Sequence, residues 1–227
     1  MAILQVVYSF FMYTLKDSGT YLVPAEEFCE DKVYFSGNPP ICSRPDMASF
    51  QIAVIIPIFF CGLVGFWAWH VSASPHYKLP QTVEGRLFGY LPEAKWLGVF
   101  NFSFQLWDFF ISLMIPEHAT PLMLTHHVLA GFGGYFSMEH QYLHYYGVYF
   151  LGCSEFSSMF LCFVDFSRYF PPQEGTLYHT FVEICKVCFA LTFFWYRVVN
   201  WTRVSLMFWK DCMASLKSGS HDNYRPG

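Results

Sequence analysis

The sequence predicts an all-α fold: a polytopic transmembrane helix bundle of about five to six spans around a polar interior pocket. Three observations predict it. The composition is 54% hydrophobic and only 13% charged, against roughly 25% charged in ordinary soluble domains. Four apolar runs reach or approach the length of about 20 residues that a spanning helix needs. Inside those runs, ionisable residues recur at helical spacing, which is costly in lipid unless they face inward.

The elements follow in chain order. Residues 1–15 are apolar but short, and they lack the positive start and small-residue cleavage site of a signal peptide. They read as a partial or interfacial helix. Residues 16–48 are acidic, with Glu26, Glu27, Glu30, Asp31 and Asp46, and also hold Cys29 and Cys42. The runs at 49–71, 96–115, 142–164 and 177–199 are the strongest spans. A fifth, 120–138, is less apolar, with Pro116 and Pro121 before it and Glu139-His140-Gln141 after it. The tail from Trp201 mixes Arg203, Lys210 and Asp211 with apolar residues. It can continue the last helix, lie in the interface or form a poor sixth span. The domains are then an N-terminal segment, 1–48, a membrane domain, 49–200, and a basic tail or terminal helix, 201–227.

Orientation follows from lysine and arginine in short loops. Lys78, Arg86 and Lys95 place 72–95 in the cytosol, and Arg203, Lys210 and Lys217 place the tail there too. The acidic 16–48 segment then faces the lumen or exterior, where Cys29 and Cys42 are available for a disulfide. The Asn200-Trp201-Thr202 sequon falls on the cytosolic side, unmodified. Cys185 and Cys188 have CxxC spacing but read as packing residues within a span. The net charge of −4 and the lack of a basic run exclude nucleic acid as a partner. No internal repeat or glycine-rich phosphate loop occurs.

Four spans carry polar stripes. On 96–115, Asn101, Gln105, Asp108 and Ser112 share one face. On 120–138, His126 shares its face with Ala130 and Gly133, and His127 with Gly131 and Gly134. Small residues let backbones approach, so each histidine is expected to meet a different neighbour. On 142–164, Glu155 sides with Gly152, Ser158, Cys162 and His144. On 177–199, His179, Glu183, Lys186 and Arg197 follow one face. There Glu183 and Lys186 can pair, while Arg197 either snorkels to headgroups or caps the polar interior.

Helical rise puts Asp108, His126 and His127 roughly 10 Å deep and Glu155 and Lys186 roughly 15 Å deep. The expectation is one pocket with aromatic walls suited to a lipid chain. His126 or His127 would act as general base, with Glu155 or Asp108 orienting the ring. Lys186 or Arg197 would hold a lipid or coenzyme A phosphate, and Glu183, Asn101 and Gln105 would complete the ligand contacts. No metal site is expected, because adjacent histidines on a helix point about 100° apart.

These residues together resemble the TLC-domain family. The carriers are the adjacent histidines, the preceding Leu106-Trp107-Asp108-Phe109-Phe110, the later Ser154-Glu155-Phe156-Ser157-Ser158-Met159-Phe160 and Phe193-Phe194-Trp195-Tyr196-Arg197. Order and spacing over about 49–200, rather than one motif, carry the resemblance. It implies lipid handling in the endoplasmic reticulum or another endomembrane, with the plasma membrane an alternative. In ceramide synthases of this family, paired histidines matching His126 and His127 are required to move an acyl group from acyl-CoA to a sphingoid amine. Their HDxxD-type aspartate pair is replaced here by Gly152-Cys153-Ser154-Glu155-Phe156-Ser157-Ser158, with one carboxylate, and no homeobox-like region is present. The chain is therefore most similar to the small TLC-domain-containing proteins, which the resemblance links to membrane lipid composition. Three readings follow: acyl transfer with acyl-CoA as co-substrate and no bound cofactor, non-catalytic lipid binding, and ceramide synthesis. The partners expected in each case are membrane lipids or fatty acyl chains.

Overall fold

The computed structural model describes residues 1–16, 22–24 and 41–219. Helices α1 (Ala2–Lys16) and α2 (Pro45–Phe66) pack together. Leu15 of α1 sits against Ala48 and Tyr169, while Leu4 packs with Phe50, Ala53 and Trp107. The side chain of Trp107 donates to Gln5 at 3.1 Å. Met1 lies beside Ile56 and Pro57, so α1 runs antiparallel to α2.

Two three-residue strands, β1 (Leu22–Pro24) and β2 (Ile41–Ser43), pair antiparallel with Val23 opposite Cys42. This ribbon is the one departure from an all-helical fold among the described residues. Cys29, and with it the expected disulfide, lies outside the described residues.

The remaining helices are α3 (Ser74–Tyr77), α4 (Val83–Phe88), α5 (Pro92–Ser112), α6 (Pro121–Glu139), α7 (His144–Phe150), α8 (Phe156–Tyr169), α9 (Leu177–Phe193) and α10 (Trp201–Ser218). Proline in the first turn opens α2, α5 and α6, where its missing N–H costs nothing. The side chains of Thr120 and Thr176 cap α6 and α9. Packing runs in sequence α6–α5–α2–α8–α9, with α1 on the outside of α2. A π-helical segment, Trp67–Val71, extends α2, and another, Phe194–Asn200, joins α9 to α10. The tail therefore continues the last helix.

The run at 142–164 is not one continuous helix. It breaks after Phe150 and resumes through a 3-10 turn, Cys153–Glu155. The cause is a backbone contact with α2. A Cβ on Gly65 would lie 2.2 Å from the Gly152 carbonyl carbon and the Cys153 nitrogen, a space that only hydrogen fills. The break also removes His144 from the face of Glu155. His144 accepts from the Leu91 N–H and donates to the Ser137 carbonyl, each at 2.8 Å, and so clasps α5, α6 and α7.

Among the described residues, two helical stretches are long and apolar enough to cross a membrane: Pro45–Val71, 27 residues, and His144–Tyr169, 26 residues. By this measure the expected five to six spans are not all drawn. The buried polar stripe of α5 dilutes its apolar character.

Each end of the bundle is tied by charge. At one end Arg44 bonds Asp46 and Glu117, joining the start of α2 to the α5–α6 loop. Hydrogen bonding from Arg44 holds the Glu117 carboxyl below the usual carboxylate range. At the other end Arg86 of α4 pairs with Asp211 of α10 at 2.6 Å, and Lys78 with Glu93 at 2.6 Å.

Candidate functional site

The site begins at the seam between α5 and α6. Asn101, Gln105, Asp108 and Ser112 are all buried on α5, as a polar stripe in an apolar run requires. The facing stripe of α6 is His127, Gly131, Gly134 and Ser137, also buried. Contact is at backbone distance: a Cβ on Gly134 would lie 2.8 Å from the Phe102 nitrogen and 3.0 Å from the Gly98 carbonyl.

His127 Nδ1 meets Gln105 Oε1 at 2.8 Å. An amide oxygen only accepts, so Nδ1 carries the proton and Nε2 presents a lone pair. That Nε2 has no hydrogen-bond partner and lies 3.5 Å from Asp108 Oδ1, which also accepts from Ser112 at 3.0 Å. One proton shared between Nε2 and Oδ1 would satisfy both atoms. Asp108 Oδ2 makes no hydrogen bond among the described residues. Asp108 forms part of the wall of a cavity of about 260 Å³, with Phe50, Phe104, His118, Ser158 and Asp165. On the opposite side, His127 and Gln105 line an outer groove of about 220 Å³ with Phe102, Phe110 and Phe132. A polar line, Asp108–His127–Gln105, thus crosses the seam from the inner cavity to the outer groove.

The structure brings Asn101, Gln105, Asp108 and His127 together at the seam, but the other five expected residues lie elsewhere. His126 is exposed, its ring 5.6 Å from that of His127 in an edge contact. Along most of its length α6 has only α5 as a neighbour, and the 100° step between adjacent residues turns His126 outward. Lys186 and Glu183 pair at 2.6 Å with side chains about half exposed, 50% and 51%, on the outer face of α9. Glu155 does not join the histidine.

Arg197 donates to Glu155 at 2.6 Å and to Ser158 at 2.9 Å. It therefore caps a polar interior group instead of reaching for headgroups. Because Ser158 also lines the Asp108 cavity, the Glu155–Arg197 pair touches that cavity at one remove. Asn101 packs against Gly134, and its Oδ1 is buried without a partner.

His118 and Asp165, which sequence reasoning did not place in the site, both stand in the cavity wall. His118 sits in a loop with no periodicity to read, held edge-on to Phe50 at 4.6 Å. A second cluster was also missed. His70 Nε2 lies 3.1 Å from the Tyr196 hydroxyl and 3.7 Å from Cys153 Sγ, where the two π segments and the 3-10 turn meet. An apolar run ending in histidine gives no signal for such a contact. Among the described residues, no group of three or more His, Cys, Asp or Glu side chains could hold a metal ion.

Residues 53–222 match a family model described as the TLC domain. That span starts within α2, just after the position 49 read from the sequence, and ends past α10, beyond the position 200 read from it. No curated protein and no solved structure matches the chain.

Proposed function

The chain belongs to the TLC-domain family, a lipid-related family of membrane proteins, and we propose that it acts on membrane lipids at the Asp108 cavity. One observation carries this reading: the buried Asp108–His127–Gln105 line ends on a cavity walled largely by apolar side chains. Five crossings, α2, α5, α6, α7 with α8, and α9, would place that cavity inside an endomembrane, most simply the endoplasmic reticulum.

The reaction class the geometry supports best is acyl transfer. The acceptor would be a lipid amine or hydroxyl and the donor an acyl-CoA thioester. The acceptor atom bonds to the thioester carbonyl carbon while its proton passes to the Asp108–His127 couple. The C–S bond then breaks, and the departing thiolate takes the proton as free coenzyme A. Asp108 touches the acceptor, whereas His127 and Gln105 are positioning residues that hold the proton in line. A cavity of about 260 Å³ fits a headgroup and part of one chain, because drug-sized ligand pockets run roughly 300–1,000 Å³.

Purified protein incubated with labelled acyl-CoA and a broad mixture of lipid acceptors tests the proposal. Labelled lipid that disappears in Asp108→Asn supports it. No product from any acceptor overturns acyl transfer. Non-catalytic lipid binding is the second reading, favoured by the engagement of Arg197 with Glu155, which leaves no free cation for a coenzyme A phosphate in the cavity wall among the described residues. Native mass spectrometry would then find a retained lipid without turnover. Ceramide synthesis is the weakest of the three, since Glu155, the lone carboxylate where an aspartate pair belongs, is committed to Arg197.

A further inference from the structure

Beyond the cavity, α10 has a face that the bundle does not use. Its inward side, Val204, Asp211 and Ser215, is buried. Its outward side carries Leu206, Trp209, Met213 and Leu216, each more than half exposed (57%, 63%, 51% and 61%). These four fall at i, i+3, i+7 and i+10, a single stripe along the helix. Arg203, Lys210 and Lys217 recur every seven residues and form a second exposed stripe, about 80° round the helix from the first. None of the three has an ion-pair partner among the described residues.

The rotation of the helix is fixed. Asp211 is the only acidic residue of α10, and it points inward. Arg86 Nε and Nη2 donate to it at 2.6 and 2.7 Å, and Tyr146 donates at 2.5 Å. A bidentate guanidinium–carboxylate pair sets orientation as well as position. With the acid turned in, every exposed charge of α10 is basic.

We propose that this face of α10 lies on the adjacent membrane leaflet and binds anionic phospholipid headgroups. Position favours that occupant. The helix continues directly from α9 through the second π segment, and its later residues Cys212, Ser215 and Leu216 share a groove with Phe136 and Ser137 at the end of α6. Charge favours it too. Each lysine or arginine near an anionic surface strengthens attraction about fivefold, while a tryptophan and aliphatic stripe inserts beside the headgroups. A second copy of the same face would instead oppose cation to cation.

The test uses the full chain in nanodiscs of phosphatidylcholine alone and of phosphatidylcholine with roughly one-third phosphatidylserine. Amide hydrogen exchange is followed over residues 203–217. Exchange there slows several-fold with phosphatidylserine, and added salt reverses the slowing. The triple variant Arg203→Gln, Lys210→Gln, Lys217→Gln loses the lipid dependence; its changes are all at exposed positions, so the fold is kept. A second variant, Leu206→Ser with Trp209→Ser, exchanges faster in both lipids. Equal exchange in the two nanodiscs would overturn the proposal. So would a triple variant that keeps the full phosphatidylserine effect, or protection that follows the number of protein copies per disc instead of lipid charge.

Discussion

Two polar regions stand within the same apolar bundle, the α5–α6 seam and the Glu155–Arg197 pair, and they solve the problem of charge in different ways. In the seam, helices approach to backbone contact over Gly98 and Gly134, and side chains of Asp108 and His127 are only 7% and 5% exposed. Polar atoms there outnumber the protons available to join them, so His127 Nε2 is left open. The Glu155–Arg197 pair has side chains about one-quarter exposed, and Ser158 gives the guanidinium a further acceptor. A satisfied ion pair holds helices together. An unsatisfied, dry one is where a proton can be taken up and returned.

The largest effect that distinguishes the two regions is on turnover. Asp108→Asn keeps the shape of the side chain but cannot carry the shared proton. Acyl transfer should fall by a factor of about 10² to 10⁴, the usual contribution of a positioned acid–base group. Arg197→Ala should leave more than a tenth of the wild-type rate on the same general acid–base scale. Comparable losses in both variants would mean that the two regions form one site.

Stability comes next. Gly134→Ala places a methyl group 2.8 Å from the Phe102 nitrogen, and overpacking of this kind costs about 1–3 kcal/mol. Gly131→Ala is the control on the same stripe, because its Cβ would meet Gln105 at an ordinary 3.6 Å. A thermal unfolding comparison in detergent should rank Gly134→Ala well below Gly131→Ala. Equal melting would show that the seam can open without strain.

A smaller effect belongs to the ion pair. A double-mutant cycle of Glu155→Gln and Arg197→Ala should return a coupling of about 1 kcal/mol or less, as partly exposed pairs do. A coupling several times larger would mark the pair as a buried structural lock and weaken the contrast with the seam.

What the sequence could reveal follows the same division. The α5 stripe was legible because a polar residue inside an apolar run can go only inward, and spacing then fixes its face. The break at Gly152 was not, since nothing near it announces a contact with Gly65 in a distant helix. The Glu155–Arg197 bond was missed for a related reason: helical periodicity names a face but not the residue opposite. His118 lies in a loop and His70 in the π-helical end of its run, where tertiary contacts set the side-chain direction.

The adjacent histidines supply the smallest expected effect. Both have a face of small residues, Ala130 and Gly133 for one and Gly131 and Gly134 for the other, so sequence alone treats them as equals. Packing separates them, because α5 covers only the His127 face. His126→Ala removes an exposed ring whose recorded contact is the edge of its neighbour. It should change stability by no more than about 0.5 kcal/mol, as substitutions at exposed positions do, and leave the lipid profile of expressing membranes unaltered. His127→Ala removes the hydrogen bond to Gln105 and the group beside Asp108, and the lipid profile should shift. If His126→Ala alters the profile as much as His127→Ala, the exposed ring meets a ligand on the outside of α6, and the working site faces the bilayer as well as the inner cavity.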